Sequence, residues 1–148
     1  MREDLKFGVE QEKRVIDLLS TKNSVVEHMT GFAFPDFDFS IDNVTYEQKT
    51  DRKTIEYGNA CFEIADRGKP SGLTTTRADY WVHWAYGMGQ MAIVPTEDMR
   101  KIVYLKHHRT VNCGDQNKAV CLLVRWKDIP SKYIKPVPFD KKEVKCLL

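Results

Sequence analysis

Two short segments of the chain carry acidic residues and a lysine at a spacing typical of β-strands. Asp36 and Asp38 lie two residues apart in the first segment, and Glu47 and Lys49 lie two apart in the second. Side chains alternate between the faces of a strand, so residues two apart point to the same side. Asp42-Asn43 between the segments predicts a tight hairpin turn, because both residues tolerate left-handed backbone conformations. A two-residue loop would set Asp38 opposite Glu47 and Asp36 opposite Lys49.

Three carboxylates and a lysine on one sheet face predict a site for a hard divalent cation. Directly opposed acids repel by on the order of 0.5 kcal/mol or more when exposed, and by far more when buried. Oxygen ligands of this kind suit Mg²⁺ or Mn²⁺, which keep waters that a phosphate substrate can replace. The lysine could hold the attacking water and stabilise charge on a phosphoryl oxygen, while the metal lowers the pKa of that water. The alternative is a solvated strand whose charges form exposed ion pairs.

A helix must position any further acid, and an amphipathic helix is predicted over residues 3–20. Apolar residues recur there with spacings near 3.6, at Leu5, Val9, Val15, Ile16, Leu18 and Leu19. Glu12 lies on this inward stripe, whereas Glu10 lies on the polar side. A buried acid without a partner is costly, so Glu12 is expected to support the metal site. The alternative is a half-exposed glutamate at the edge of the helix.

The remaining elements are read from alternation and apolar runs. Strands are predicted at 25–29, 36–41, 44–50, 60–64, 80–84, 91–94 and 119–126, a helix from Thr96 to about Tyr104, and an exposed loop at 107–117. The expected fold class is α/β: a helix, a three-stranded meander, then further strands and a helix around a mixed sheet. The length of 148 residues predicts a single domain spanning 1–148.

Composition narrows the protein class without identifying a partner. The chain is 42% hydrophobic and 30% charged, which is typical of a soluble globular protein. No apolar run approaches the ~20 residues of a membrane span, and no signal-peptide pattern opens the chain, so a cytoplasmic protein is expected. A formal charge of +2 does not by itself predict a polyanion partner. The four cysteines lack CxxC spacing, and the four histidines add no zinc pattern, so buried or incidental thiols are expected.

The ordered set of acids resembles a known nuclease motif. The runs Phe34-Pro35-Asp36-Phe37-Asp38 and Tyr46-Glu47-Gln48-Lys49-Thr50-Asp51 are similar to the PD-(D/E)xK motif, and Gly8-Val9-Glu10-Gln11-Glu12 resembles the Gly-xxx-Glu pattern of that superfamily's leading helix. The resemblance implies a restriction-endonuclease-like core and DNA cleavage that depends on Mg²⁺ or Mn²⁺. It implies Asp38 and Glu47 as metal ligands, Glu12 as an assisting acid and Lys49 as a catalytic residue. Asp36 is the alternative to Asp38 through its Pro-Asp dipeptide, and Asp38 is preferred.

A second resemblance extends from Gly8 to Val94. Residues 57–64 and 68–82 are similar to a stretch of small phage-type nucleases related to Holliday-junction resolvases. The phosphate contacts expected in this stretch are Lys69, Ser71, Thr76 and Arg77. Family analogy suggests a homodimeric endonuclease for branched DNA in phage replication, recombination or repair. The alternatives are a restriction-like endonuclease, an inactive nucleic-acid-binding module and a protein-interaction domain; the role of Glu63 stays open between an extra acid and an ion-pair partner.

Overall fold

The computed structural model describes residues 3–30 and 37–138, which form a mixed α/β arrangement with three α-helices. The helices are α1 (Glu3–Leu19), α2 (Thr54–Tyr57) and α3 (Thr96–Lys106). The strands are β1 (Val26–His28), β2 (Phe39–Ile41), β3 (Val44–Asp51), β4 (Asn59–Asp66), β5 (Lys69–Pro70), β6 (Tyr80–Ala85), β7 (Gln90–Pro95), β8 (Arg109–Cys113), β9 (Ala119–Arg125) and β10 (Ile134–Pro136). Across the two described ranges, no helix combines the length and apolar character needed to span a membrane.

The predicted amphipathic helix is confirmed as α1. Its buried residues are Gln11, Val15 and Ile16, and its apolar side packs against buried residues of β2 and β6. Trp84 of β6 donates a hydrogen bond from Nε1 to Gln11 Oε1 at 3.0 Å. These contacts fix the rotation of α1 about its axis and leave Glu12 at the edge of the buried face, with its side chain 14% exposed.

The first sheet has the strand order β1-β2-β3-β6-β7-β10 and is mixed, because β3 runs parallel to β6 while the other pairs are antiparallel. Asp42 and Asn43 have positive φ values of 49° and 67°, as a two-residue type I′ turn requires. The register Ile41↔Val44 follows. The predicted hairpin is therefore confirmed, and β3 is placed in the middle of the sheet.

The second sheet has the order β5-β4-β9-β8 and corrects the predicted loop at 107–117. Residues 109–113 form β8, which pairs antiparallel with β9 in the register Val111↔Cys121 and Cys113↔Ala119. β8 is an edge strand whose residues are exposed or half-buried. The sequence of such a strand has no apolar run, and it forms a strand because it pairs with its neighbour β9.

Two apolar clusters lie on opposite faces of the first sheet. One joins α1 to Phe39, Val82 and Trp84. The other joins Trp81 and neighbouring residues of the first sheet to the second sheet and to α3. The first sheet is therefore the middle layer, and β3 lies close to both α1 and the second sheet.

Candidate active site

Three carboxylates from separate parts of the chain share one electrostatic environment. Burial, followed by the charges of Asp38 and Glu47, raises the pKa of Glu12 to about 8. Burial and the Asp38 charge raise the pKa of Glu47 to about 8. Burial also raises the pKa of Asp38, against a lowering effect of a backbone N–H. α1, the segment before β2 and the strand β3 thus bring together the three acids predicted as the site.

The position of Asp38 is fixed by two hydrogen bonds to the neighbouring strand. Its backbone N–H donates to Tyr46 O at 2.9 Å, and its Oδ2 accepts the backbone N–H of Gln48 at 2.8 Å. The paired register of the two strands ends at Phe39↔Tyr46. Asp38 therefore bonds to the residues on both sides of Glu47, close to the facing position that the turn predicted. Asp36, the alternative ligand, lies outside the described residues.

His28 of β1 is a contact of the site that sequence reasoning missed. Its Nε2 lies 2.8 Å from Glu12 Oε1. An ion pair would lower the pKa of Glu12 and raise the pKa of His28. The opposite holds here: burial raises the pKa of Glu12, and burial together with the charge of Lys13 lowers the pKa of His28. Desolvation therefore outweighs the attraction between the two groups.

Lys49 occupies the same side of β3 as Glu47. The two residues stand opposite His83 and Trp81 in the parallel pair with β6, and residues two apart on a strand point to one face about 7 Å apart. Lys49 is exposed. It lines a cleft in which its ammonium can meet a ligand.

A cleft of about 490 Å³ opens beside Lys49, between the first half of α1, the second half of β3, β4 and the β8–β9 hairpin. Glu12 and Lys49 line this cleft, as do Cys61 and Glu63, whereas Asp38 and Glu47 are not among its described lining residues. Glu12 therefore connects the acidic cluster to the cleft. Glu63, whose role the sequence left open between an extra acid and an ion-pair partner, accepts a hydrogen bond at Oε2 from Ser71 Oγ at 2.8 Å.

A buried hydrogen-bond chain fixes the end of β3. Trp81 Nε1 donates to His83 Nδ1 at 3.2 Å, and His83 Nε2 lies 3.0 Å from Asp51 Oδ2. Since Nδ1 accepts, the neutral imidazole carries its proton on Nε2 and donates it to the carboxylate. Burial alone would raise the pKa of Asp51, but the hydrogen bonds from His83, Cys61 and Lys53 hold it well below its usual range. Asp51 was missed, although its position two residues after Lys49 places it on the same strand face.

The predicted phosphate-contacting residues fall into two groups. Lys69 and Arg77 are exposed, while the hydroxyl groups of Ser71 and Thr76 make internal hydrogen bonds, the latter accepting from Ala78 N at 3.3 Å. Residues 71–77 form a loop whose carbonyls at positions 73 and 76 accept hydrogen bonds from Arg100 of α3.

The same loop needs glycine at position 72. Gly72 has a φ of +58°, and a Cβ there would lie 2.4 Å from Glu63 O. The loop therefore packs directly on β4 beside the cleft, which brings Ser71 to Glu63.

The carboxylates of Glu12, Asp38 and Glu47 are the type of ligand that a hard cation prefers, but their oxygen atoms are not close together. Within residues 3–30 and 37–138, the one group of three Cys, His, Asp or Glu ligand atoms that all lie within 4.8 Å of one another consists of the sulfurs of Cys61, Cys113 and Cys121. The carboxylate oxygens are more widely spread. Mg²⁺ is commonly held by one or two carboxylates and several waters, so direct binding by two acids and a water-mediated third fits this set.

Comparisons with known proteins do not identify the chain. No protein-family model matches the sequence, no curated protein is similar to it, and no solved structure resembles it significantly.

Proposed function

We propose that the protein is an endonuclease of the PD-(D/E)xK type that hydrolyses DNA phosphodiester bonds with Mg²⁺ or Mn²⁺. The observation that carries the proposal is the burial of Glu12, Asp38 and Glu47 in one environment: burial raises the pKa of all three acids, and the charge of Asp38 raises those of Glu12 and Glu47 further. Each unit of pKa shift corresponds to about 1.4 kcal/mol of unfavourable interaction with the charged form. Folding alone gives no reason to assemble these acids, whereas a divalent cation would stabilise all three charges together.

Each residue then has a distinct role at the phosphate. Asp38 and Glu47 hold the cation, and Glu12 assists from α1 with its carboxylate oriented by His28, since a hydrogen-bond partner behind a ligand fixes its direction. A bound cation supplies an activated water and neutralises charge on the phosphoryl group. Lys49 positions that water and stabilises the developing negative charge from the rim of the cleft. The Asp51–His83 hydrogen bond keeps the end of β3 in place, and with it the direction of Lys49.

The chain order supports a restriction-endonuclease-like core. α1 is followed by the antiparallel meander β1-β2-β3, and a further strand, β6, lies beside β3. One departure from the expected core is the connection from β3 to β6. It contains the four-residue helix α2 and strands of the second sheet, where the family places a further helix. The second sheet thus forms one wall of the cleft.

Basic side chains offer a path for the DNA backbone. Lys49, Arg52 and Lys53 line the cleft and are exposed, and Lys69 and Arg77 are exposed on or near the loop that packs against Glu63. Contacts of this kind bind phosphate oxygens without reading sequence, which suits recognition of DNA by its shape. Binding should therefore weaken steeply as salt rises.

The second candidate is a nucleic-acid-binding module without turnover. The observation in its favour is that the carboxylates are spread more widely than the three sulfurs. Both candidates bind DNA with a steep salt dependence, whereas the nuclease alone cleaves it. A protein-interaction domain would do neither.

The experiment that tests the proposal is cleavage of plasmid, linear duplex and four-way-junction DNA with Mg²⁺, with Mn²⁺ or with EDTA. We expect cleavage with either metal and none in EDTA, and faster cleavage of the junction if branched DNA is the natural substrate. Intact DNA on all three substrates, together with salt-dependent binding, would favour the binding module. Lys49→Ala should reduce cleavage by about 10²–10³-fold, and Lys101→Ala, which removes an exposed lysine on α3 outside the cleft, should retain it.

A further inference from the structure

Three cysteines from distant parts of the sequence meet in the wall of the cleft. Cys61 lies on β4, Cys113 on β8 and Cys121 on β9, and their sulfur atoms all lie within 4.8 Å of one another. Cys113 and Cys121 form a disulfide with a Cα–Cα distance of 6.5 Å, and Cys61 is a free thiol. The expectation of buried or incidental thiols is therefore wrong for Cys113 and Cys121, which are joined in a disulfide.

The sheet register explains the meeting. β9 lies between β4 and β8, with Cys121 opposite both Glu63 of β4 and Val111 of β8. Side chains of directly opposed residues point to the same face, as do side chains two residues apart on one strand. Cys61 is two residues from Glu63 and Cys113 is two residues from Val111. The three sulfurs therefore share one face of the second sheet. Gly114 turns the chain after β8 with a φ of +73°, and a Cβ at this position would lie 3.2 Å from the Cβ of Ala119. Cys113 is therefore the last residue of the strand.

We propose that this cluster is a redox-controlled binding site for a soft divalent cation of the zinc class, distinct from the acidic site. Two sulfurs bound to one tetrahedral zinc lie about 3.8 Å apart, because the Zn–S bond is about 2.3 Å long. The three sulfurs are close enough to reach this spacing with small side-chain movements once Cys113 and Cys121 are no longer bonded. Zinc sites with three protein ligands keep a fourth position for water or a ligand atom, and this position would open into the cleft.

A thiol reductant converts the disulfide form of the cluster into the reduced form that binds the cation. Two molecules of the reductant supply two electrons and two protons, the Cys113–Cys121 bond breaks, and the reductant leaves as its own disulfide. The two resulting thiols and the thiol of Cys61 release their protons when the cation binds. Lys49 and Lys53 line the same cleft, and their positive charges offset the single negative charge left on a cation held by three thiolates. In the reverse direction a small-molecule disulfide accepts two electrons from the Cys113 and Cys121 thiolates and two protons from water, and leaves as two thiols. The cation then dissociates, because two of its ligands are bonded to each other.

The test uses cobalt as a probe in the full chain. The protein is reduced under anaerobic conditions with a phosphine, freed of metal and titrated with Co²⁺. We expect one equivalent to produce the sulfur-to-cobalt charge-transfer band, Zn²⁺ to remove the band by displacement, and the oxidised protein to show no band. A reduced wild type without the band, or an oxidised wild type with the same band, would overturn the proposal without any variant.

Variants separate this site from the rest of the chain. Cys61→Ser should lose or strongly weaken the band, whereas Cys146→Ser, which changes the fourth cysteine of the sequence, should keep it. Glu47→Gln should also keep it, so that a failure of the proposed nuclease site is distinguishable from a failure of this one. Full-intensity binding in Cys61→Ser, or loss of the band in Cys146→Ser, would show that the three-cysteine assignment is wrong.

Discussion

Asp38 Oδ2 accepts a hydrogen bond from the backbone N–H of Gln48 at 2.8 Å, and this bond holds the Asp38 carboxylate on the strand next to Glu47. The hydrogen bond takes one carboxylate oxygen, and in the proposed site Oδ1 would share the cation with Glu47. The two acids are close enough for the charge of Asp38 to raise the pKa of Glu47. This pairing gives the proposed site its first direct test.

Asp38→Asn should weaken Mn²⁺ binding more than Asp36→Asn. The asparagine can still accept the Gln48 N–H through its carbonyl oxygen, so the hairpin should persist while the charge that attracts the cation is lost. Calorimetric titration of both variants with Mn²⁺ measures the difference. The reverse order of affinities would identify Asp36 as the ligand.

Lys49→Ala should leave Mn²⁺ binding and folding unchanged and reduce cleavage by about 10²–10³-fold, the usual effect of removing one group that stabilises charge in the transition state. The lysine acts on water and phosphate, so the loss should fall on turnover. Calorimetry with Mn²⁺ beside a plasmid-nicking assay measures both quantities, with Lys101→Ala as the matched control. Wild-type nicking by Lys49→Ala would exclude this lysine from the mechanism.

The metal-free protein should lose stability as pH rises from 5 to 8. The pKa values of Glu12 and Glu47 are raised to about 8 in the folded state, so the folded protein binds more protons than the unfolded chain between the ordinary carboxyl pKa and 8. Stability must then fall with pH across this window. Glu47→Gln should flatten the slope, because one of the carboxyl groups with a raised pKa is removed.

Denaturant unfolding in EDTA at several pH values provides the measurement. A wild-type slope no steeper than that of Glu47→Gln would show that the acids are ordinary solvated carboxylates. Glu10→Gln, which changes an exposed acid on α1, is the control and should keep the wild-type slope.

Asp51→Asn should destabilise the fold by roughly 1.5–3 kcal/mol, the value of hydrogen bonds to a charged group. The asparagine NH₂ group is a donor, so it would face N–H groups that now donate to the carboxylate oxygens of Asp51. The pKa of Asp51 is lowered in the folded state, so its contribution is fully present above the ordinary carboxyl pKa and is lost as pH falls through the folded value. The variant should therefore differ from wild type at neutral pH and approach it in strong acid, as unfolding curves can show.

Local patterns predicted the elements that carry the acids. The 3.6-residue spacing of Val15 and Ile16 indicated α1, and the Asp42-Asn43 turn fixed the hairpin register without any distant contact. Glu12, Asp38 and Glu47 could be nominated from the sequence for that reason.

Contacts between distant segments could not be predicted in the same way. His28 reaches Glu12 only because β1 docks beside β2, and β8 is a strand only because β9 pairs with it. The cysteine cluster needs three strands from two separate parts of the chain, so no spacing rule along the sequence detects it.

The central claim is that Glu12, Asp38 and Glu47 together bind a divalent cation, and thermal unfolding with Mn²⁺ tests it most directly. The measurement is made without a reductant, so that the Cys113–Cys121 disulfide stays intact. The free energy of unfolding of the wild type should then rise by about 2.7 kcal/mol when Mn²⁺ reaches a hundred times its dissociation constant. Its melting temperature should rise with the logarithm of free Mn²⁺, whereas Glu47→Gln should melt at or above the wild-type temperature in EDTA and gain little from the metal. A folded wild type whose melting temperature is unchanged by millimolar Mn²⁺ would contradict the metal site, and the proposed nuclease would lose its physical basis.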